Sequence, residues 1–246
     1  MDSIVYYTLT AVAVLITLTV HEYCHGYAAY KLGDPTAKSL GRLSLNPIKH
    51  IDPIGALCMV LFRFGWARPV PINPRYFKKP KRDFAITALA GPLSNIILAF
   101  LSAFLYLLTY QLLKDVKFGN NFLYSAAQNT LNFIFIFHAV NIGLAIFNLI
   151  PIPPLDGSRI LNAVLPQKAY FAVMKYERTI YFVLIGWLLL GSYVSAFLLS
   201  IDFISASPIL SSIAKFVSLT GLISEAIDGL SSLIFKLFQL IPFLKI

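Results

Sequence analysis

The chain has 246 residues, room for one or two domains, with 58% hydrophobic and only 13% charged, about half the charged share of an ordinary soluble protein. A mean hydropathy of +0.74 excludes a water-soluble globule, and the wealth of apolar residues excludes a disordered chain. The 20 Lys+Arg against 11 Asp+Glu leave a charge of +9, which suits either nucleic acid or the cytoplasmic loops of a membrane protein.

A membrane-spanning helix needs about 20 mostly apolar residues, and the first such stretch runs from 4 to 28. It has Asp2 but no Lys or Arg before it, so it lacks the basic start of a secretory signal and reads as a retained span. The loop 31–83 carries eleven basic residues and three acids and is therefore expected in the cytoplasm. Within it, 54–62 is apolar but too short to cross, and a re-entrant segment or interfacial strand is expected there. The VPINP that begins at Val70 is held extended by its prolines. Further spans are expected at 84–113, 129–150 and 179–201, with the loop 114–128 outside and the loop 151–178 inside.

Fifteen of the twenty basic residues then fall on one side. Positive-inside topology explains that alternation, whereas a nucleic-acid site would explain only the KKPKR cluster at 78–82. No nucleic-acid partner is expected, and the partner that this pattern implies is the lipid bilayer. The predicted fold is an all-α polytopic membrane protein, with one domain over 1–201 and a tail over 202–246. In the tail, apolar residues recur every three or four positions from Ile209 to Ile241, with Ser, Lys, Glu and Asp on much of the other face. That is the pattern of an amphipathic helix in the membrane interface, broken at Gly221 or Gly229, with a fifth span as the alternative. Cys24 and Cys58 suggest no disulfide framework.

The first span ends in His21-Glu22-Tyr23-Cys24-His25. A carboxylate at that depth is costly without a positive partner, and the nearest cation, Lys31, is two and a half turns away. On a helix, His21 and His25 stand one turn apart on one face, where both can hold one Zn²⁺ with Glu22 beside it as general base. A third protein ligand is needed, and His50, His138, Asp52, Asp156, Cys24 and Cys58 are the candidates. Asp156 is preferred, because NLIPIPPLDG ends a span on the same side as His25 and its prolines unwind the backbone at membrane depth. Its competing role is to cap the short helix that follows. Zn²⁺ with two neutral imidazoles, the Asp156 and Glu22 carboxylates and a water sums to zero charge, which suits a low-dielectric site.

HEYCHG, LGDPTAKSLGRLSLNPIKHIDPIG, GWARPVPINP, ALAGPLSN and FNLIPIPPLDGSRIL together closely resemble the site-2 proteases, the intramembrane zinc metalloproteases. The resemblance runs from about residue 18 to 165 and is to the compact prokaryotic branch without PDZ or CBS domains. It implies that His21, His25 and Asp156 bind one zinc ion, that Glu22 is the catalytic base and that Asn148 helps hold the substrate backbone. Asn95 is a second candidate at the substrate, with packing as its alternative role. It also implies a membrane protein or transmembrane segment as substrate and a prokaryotic plasma membrane, in which the charge distribution puts the N-terminus outside and the active site near the cytoplasmic face. Capping or turn roles are expected for His50 and Asp52.

The function that follows is hydrolysis of membrane-embedded peptide bonds by zinc-activated water. The alternative is a metal-binding membrane protein or zinc transporter, but transport needs ligands toward both faces and these cluster near one.

Overall fold

The computed structural model describes residues 2–53, 55, 67–201, 203, 207, 209–211 and 218–244. Helix α1 spans Ser3–Lys31, α2 Thr36–Ser39, α3 Pro80–Leu113, α4 Asn121–Leu149, α5 Asp156–Val164, α6 Gln167–Met174, α7 Glu177–Leu199 and α8 Leu219–Phe238. Among the described residues the sole β feature is an isolated antiparallel bridge between Ile51 and Ala67. The segment expected at 54–62 lies, apart from Gly55, outside the described residues.

Helices α1, α3 and α4 are each long and apolar enough to cross a membrane; α7 makes a fourth if its two parts, bent by 45° between Leu188 and Tyr193, act as one span. The helices are longer than their apolar windows. Helix α4 begins at Asn121 rather than 129, because the Asn120 side chain accepts a hydrogen bond from the Leu123 N–H and starts the helix ahead of the hydrophobic run. Likewise α3 starts at Pro80, where a proline in the first turn loses no helical hydrogen bond.

The three long helices pack on one another, and α5 lies against α3 and α4. Small residues permit the close approach: Ala13, Ala99 and Ala103 are fully buried, as lipid-embedded bundles require. Some polar side chains inside the bundle pair across helices. The Asn141 amide donates to Thr17 Oγ1 at 3.0 Å across α4 and α1, and His138 meets the Ala99 carbonyl at 2.9 Å and Ser231 Oγ at 3.2 Å.

The tail helix α8 packs on α3, α4 and α7, so its apolar face meets protein. Ile234 joins Ala99, Ala103 and Ile142 in one buried cluster, flanked by Ile227, Leu230, Phe235 and Phe238. Neither Gly221 nor Gly229 breaks it: both lie inside a continuous helix started by the Ser218 side chain, which accepts from the Gly221 N–H at 3.1 Å.

After α1 the chain turns at Gly33, whose φ of +108° suits a residue without a Cβ. Asp34, fully buried, then accepts hydrogen bonds from the Thr36 backbone and hydroxyl and from the Asn73 N–H at 2.6 Å. The strap 67–73 is thereby fixed beside the end of α1 that carries the histidines.

Candidate metal centre

His21 and His25 face the bundle one turn apart near the end of α1, 3% and 5% exposed. Their Nε2 atoms are 3.0 Å apart, and Asp156 Oδ2 lies 3.2 Å from the first and 3.1 Å from the second. Three ligand atoms on a tetrahedral zinc, each about 2.0 Å from the metal, stand about 3.3 Å apart. The observed triangle is close to that size, and two imidazole nitrogens turned toward each other and toward a carboxylate need a cation or proton between them. Among the described residues this is the one cluster of His, Cys, Asp or Glu with such spacing.

The surroundings fit a metal held through both Nε2 atoms. A neutral imidazole ligating through Nε2 carries its proton on Nδ1, and that proton needs an acceptor. His25 Nδ1 finds the Thr87 carbonyl at 2.7 Å. His21 Nδ1 lies 3.1 Å from the Asn95 amide nitrogen, while Asn95 Oδ1 is buried without a partner among the described residues. Turning that amide by 180° about its last torsion keeps its shape and brings the orphaned oxygen to the His21 N–H.

Between these two contacts lies Gly91, at which a Cβ would fall 2.4 Å from His25 Nε2 and 2.7 Å from His21 Cε1. Thr87, Gly91 and Asn95 are spaced four apart and form one stripe of α3, antiparallel to His25 and His21 on α1. Helix α3 can lie over the two rings because the central position of the stripe has no side chain.

Asp156 reaches them from the other direction. Past Leu149 the prolines end α4, and α5 starts at Asp156 with Leu155 as its N-cap, which supplies no side-chain cap. The Asp156 carboxylate is thus directed to the histidines rather than to helix capping. Gly157 is required for close approach: a Cβ there would sit 2.4 Å from the carbonyl oxygens of both Leu149 and Ile150. Helix α5 is tied to α3 by Arg159 over the Phe84 ring at 5.5 Å and by Lys81 Nζ donating to the Leu165 carbonyl at 3.3 Å.

Glu22, half-buried, accepts the Val70 N–H on Oε2 at 2.7 Å. Asn148 is half-buried, and its amide donates within its own helix to the Leu144 carbonyl at 3.0 Å. Asn95, a candidate at the substrate or for packing, is fully buried with its amide against His21. Of the other ligand candidates, His50 meets the Ser44 carbonyl at 2.7 Å and Asp52 accepts the Gly55 N–H at 2.8 Å, both turn-forming contacts. Cys58 lies outside the described residues. Reading the sequence missed Thr87 and Gly91 as neighbours of the site, and gave VPINP, which begins at Val70, only as an extended segment without its contact to Glu22. Gly91 gave a signal, since glycine inside a long helix is unfavourable unless something approaches closely.

A family model described as peptidase family M50 matches residues 9–191. The protein of Bacillus subtilis (strain 168) named "Putative zinc metalloprotease YwhC" is 40% identical over 201 residues, covering 79% of this chain and 89% of that one. The Mycolicibacterium smegmatis protein named "Putative zinc metalloprotease Rip2" is 27% identical over 149 residues, 58% of this chain and 52% of the relative. A Methanocaldococcus jannaschii protein named as a zinc metalloprotease is 25% identical over 168 residues, 68% of this chain and 38% of that protein. No solved structure matches the chain. With three quarters of its length matched by the family model, the chain belongs to peptidase family M50, the site-2 protease family that its motifs resemble.

Proposed function

We propose that the chain is an intramembrane zinc metalloprotease that hydrolyses peptide bonds of membrane-embedded substrates, with His21, His25 and Asp156 holding one zinc ion and Glu22 as general base. The observation that carries this reading is the buried meeting of two Nε2 atoms, from a helix apolar enough to span, with one carboxylate oxygen at 3.0–3.2 Å, a further carboxylate standing next to His21 in sequence. Zinc bound there supplies an acidified water and polarises the scissile carbonyl.

Glu22 takes a proton from the attacking water and returns it to the leaving amine. The Thr87 carbonyl and Asn95 keep the two imidazoles in one tautomer, so each presents a lone pair to the same point. A helical substrate shields its carbonyls in its own hydrogen bonds and must unwind locally to be cut. The short apolar segment 54–62 together with the Pro-rich VPINP is the edge along which an extended substrate strand would lie, and Asn148 would receive its backbone. The setting is a prokaryotic plasma membrane with the N-terminus outside and the site near the cytoplasmic face, a reading supported by the basic loops.

The test is purified Glu22→Gln with a single-span substrate in detergent. It should keep one zinc per chain and lose at least about 100-fold in cleavage, while His21→Ala and Asp156→Ala lose both zinc and cleavage. Cleavage by Glu22→Gln at the wild-type rate refutes the base. A zinc-loaded wild type that leaves membrane substrates intact favours the metal-binding or transport reading.

A further inference from the structure

The strap that touches Glu22 is itself held by a buried cation. Arg42, 9% exposed, donates from Nη2 to the Arg68 carbonyl at 2.7 Å and to the Pro69 carbonyl at 3.3 Å. The next N–H along the chain, that of Val70, is the one that donates to Glu22 Oε2 at 2.7 Å. Further ties fix the rest of the strap: the Arg68 N–H donates to the His50 carbonyl at 2.8 Å, and the Asn73 N–H to Asp34 at 2.6 Å. The side chain of Val70 packs where Gly26, one residue past His25, has no Cβ; a Cβ there would come within 3.1 Å of Val70 Cγ1.

A buried guanidinium paired with no carboxylate among the described residues is a costly way to fasten a loop. Burial pulls its pKa below the usual arginine range, the neighbouring Arg68 adds to this, and the Glu22 charge acts in the opposite sense. Both carbonyls are reached from the one Nη2, whose two N–H directions are fixed in the guanidinium plane, whereas a lysine ammonium would rotate freely.

We propose that Arg42 is a positioning residue that holds the Arg68–Val70 backbone so that the Val70 N–H anchors one oxygen of Glu22 and leaves the other for the attacking water. The proposal rests on Glu22 being the general base. A glutamate carboxylate on three rotatable bonds samples several rotamers, and a misplacement of about 1 Å can cost roughly 100-fold in rate. One backbone N–H on Oε2 removes most of that freedom, and the backbone can serve only if it is fixed in turn.

The test uses the full zinc-loaded chain in detergent with a single-span substrate, and reads zinc content, kcat, KM and hydrogen exchange. Val70 lies between Pro69 and Pro71, so its amide is flanked by residues with no N–H and is well isolated in an exchange experiment. Arg42→Gln should keep one zinc per chain and a KM within about twofold, lower kcat by about 10- to 100-fold, and speed exchange at Val70. Arg42→Lys should recover part of the loss. A kcat for Arg42→Gln within about twofold of wild type, loss of its zinc, or unchanged Val70 exchange overturns the proposal.

If Arg42→Gln does not accumulate, Val70→Pro deletes the N–H with Arg42 in place, and Val70→Ala accounts for the lost packing. The proline variant must fall at least about fivefold below the alanine variant in kcat, and equality overturns the proposal. Glu22→Gln separates the two readings. If it cleaves at the wild-type rate, the base assignment fails whatever Arg42 does; if it is inactive while Arg42→Gln is unimpaired, only the positioning role fails.

Discussion

Each histidine of the cluster is held at its far nitrogen by a group on α3, and the two holders differ in kind. The Thr87 carbonyl is backbone and no substitution removes it, whereas Asn95 is a side chain, fully buried, whose oxygen has a donor only if it faces His21. Asn95 is therefore the more revealing position. Asn95→Ala should weaken zinc binding by about 10- to 100-fold in competition with a chelator, the usual cost of losing a partner that orients a ligand. Asn95→Asp keeps an acceptor and should bind more tightly than Asn95→Ala. Equal affinity in all three proteins would mean that His21 is oriented by packing alone. The sequence announced His21, Glu22 and His25 because their spacing is a one-turn pattern within a single helix. It offered Asn95 only through the ALAGPLSN resemblance, as a candidate at the substrate or for packing, and not as a partner of His21, which lies 74 positions away.

At the scale of elements, what was legible was what depends on local pattern. The long apolar runs became α1, α3 and α4, and the prolines after Leu149 ended α4 where the unwound backbone was expected. Polar starts such as Asn120 lengthened the helices beyond their hydrophobic windows. The tail shows where local pattern stops. Its periodicity defined an apolar face, but periodicity is silent on whether lipid or protein covers it. Here Ile234, 1% exposed, is covered by α3 and α4, and its neighbour Leu233 is 54% exposed. Ile234→Ala should cost about 1–3 kcal/mol, chiefly from the cavity left in a packed contact, and Leu233→Ala almost nothing. Reversible unfolding in mixed micelles measures both. A helix resting on the membrane surface alone would not distinguish these two positions so sharply.

For the whole molecule the open variable is orientation, which the helices do not contain and the charges do. Fifteen of the twenty basic residues, Arg42 and the KKPKR cluster among them, fall by sequence in the loops 31–83 and 151–178, whose described parts lie at the end of the bundle where His25 and Asp156 meet. Basic segments are retained in the cytoplasm during insertion, so that end should face inward. Cysteines placed at the two ends test this in a chain freed of Cys24 and Cys58. Lys78→Cys sits on the exposed basic segment, and Gly119→Cys sits in the opposite loop, where a Cβ meets nothing within 4 Å. In spheroplasts a membrane-impermeant maleimide should label Gly119→Cys at once and Lys78→Cys only after permeabilisation. The reverse pattern would turn the molecule over, and with it the compartment that the metal centre faces. The ligands sit close to one end, so the label on the basic loops reports that side directly.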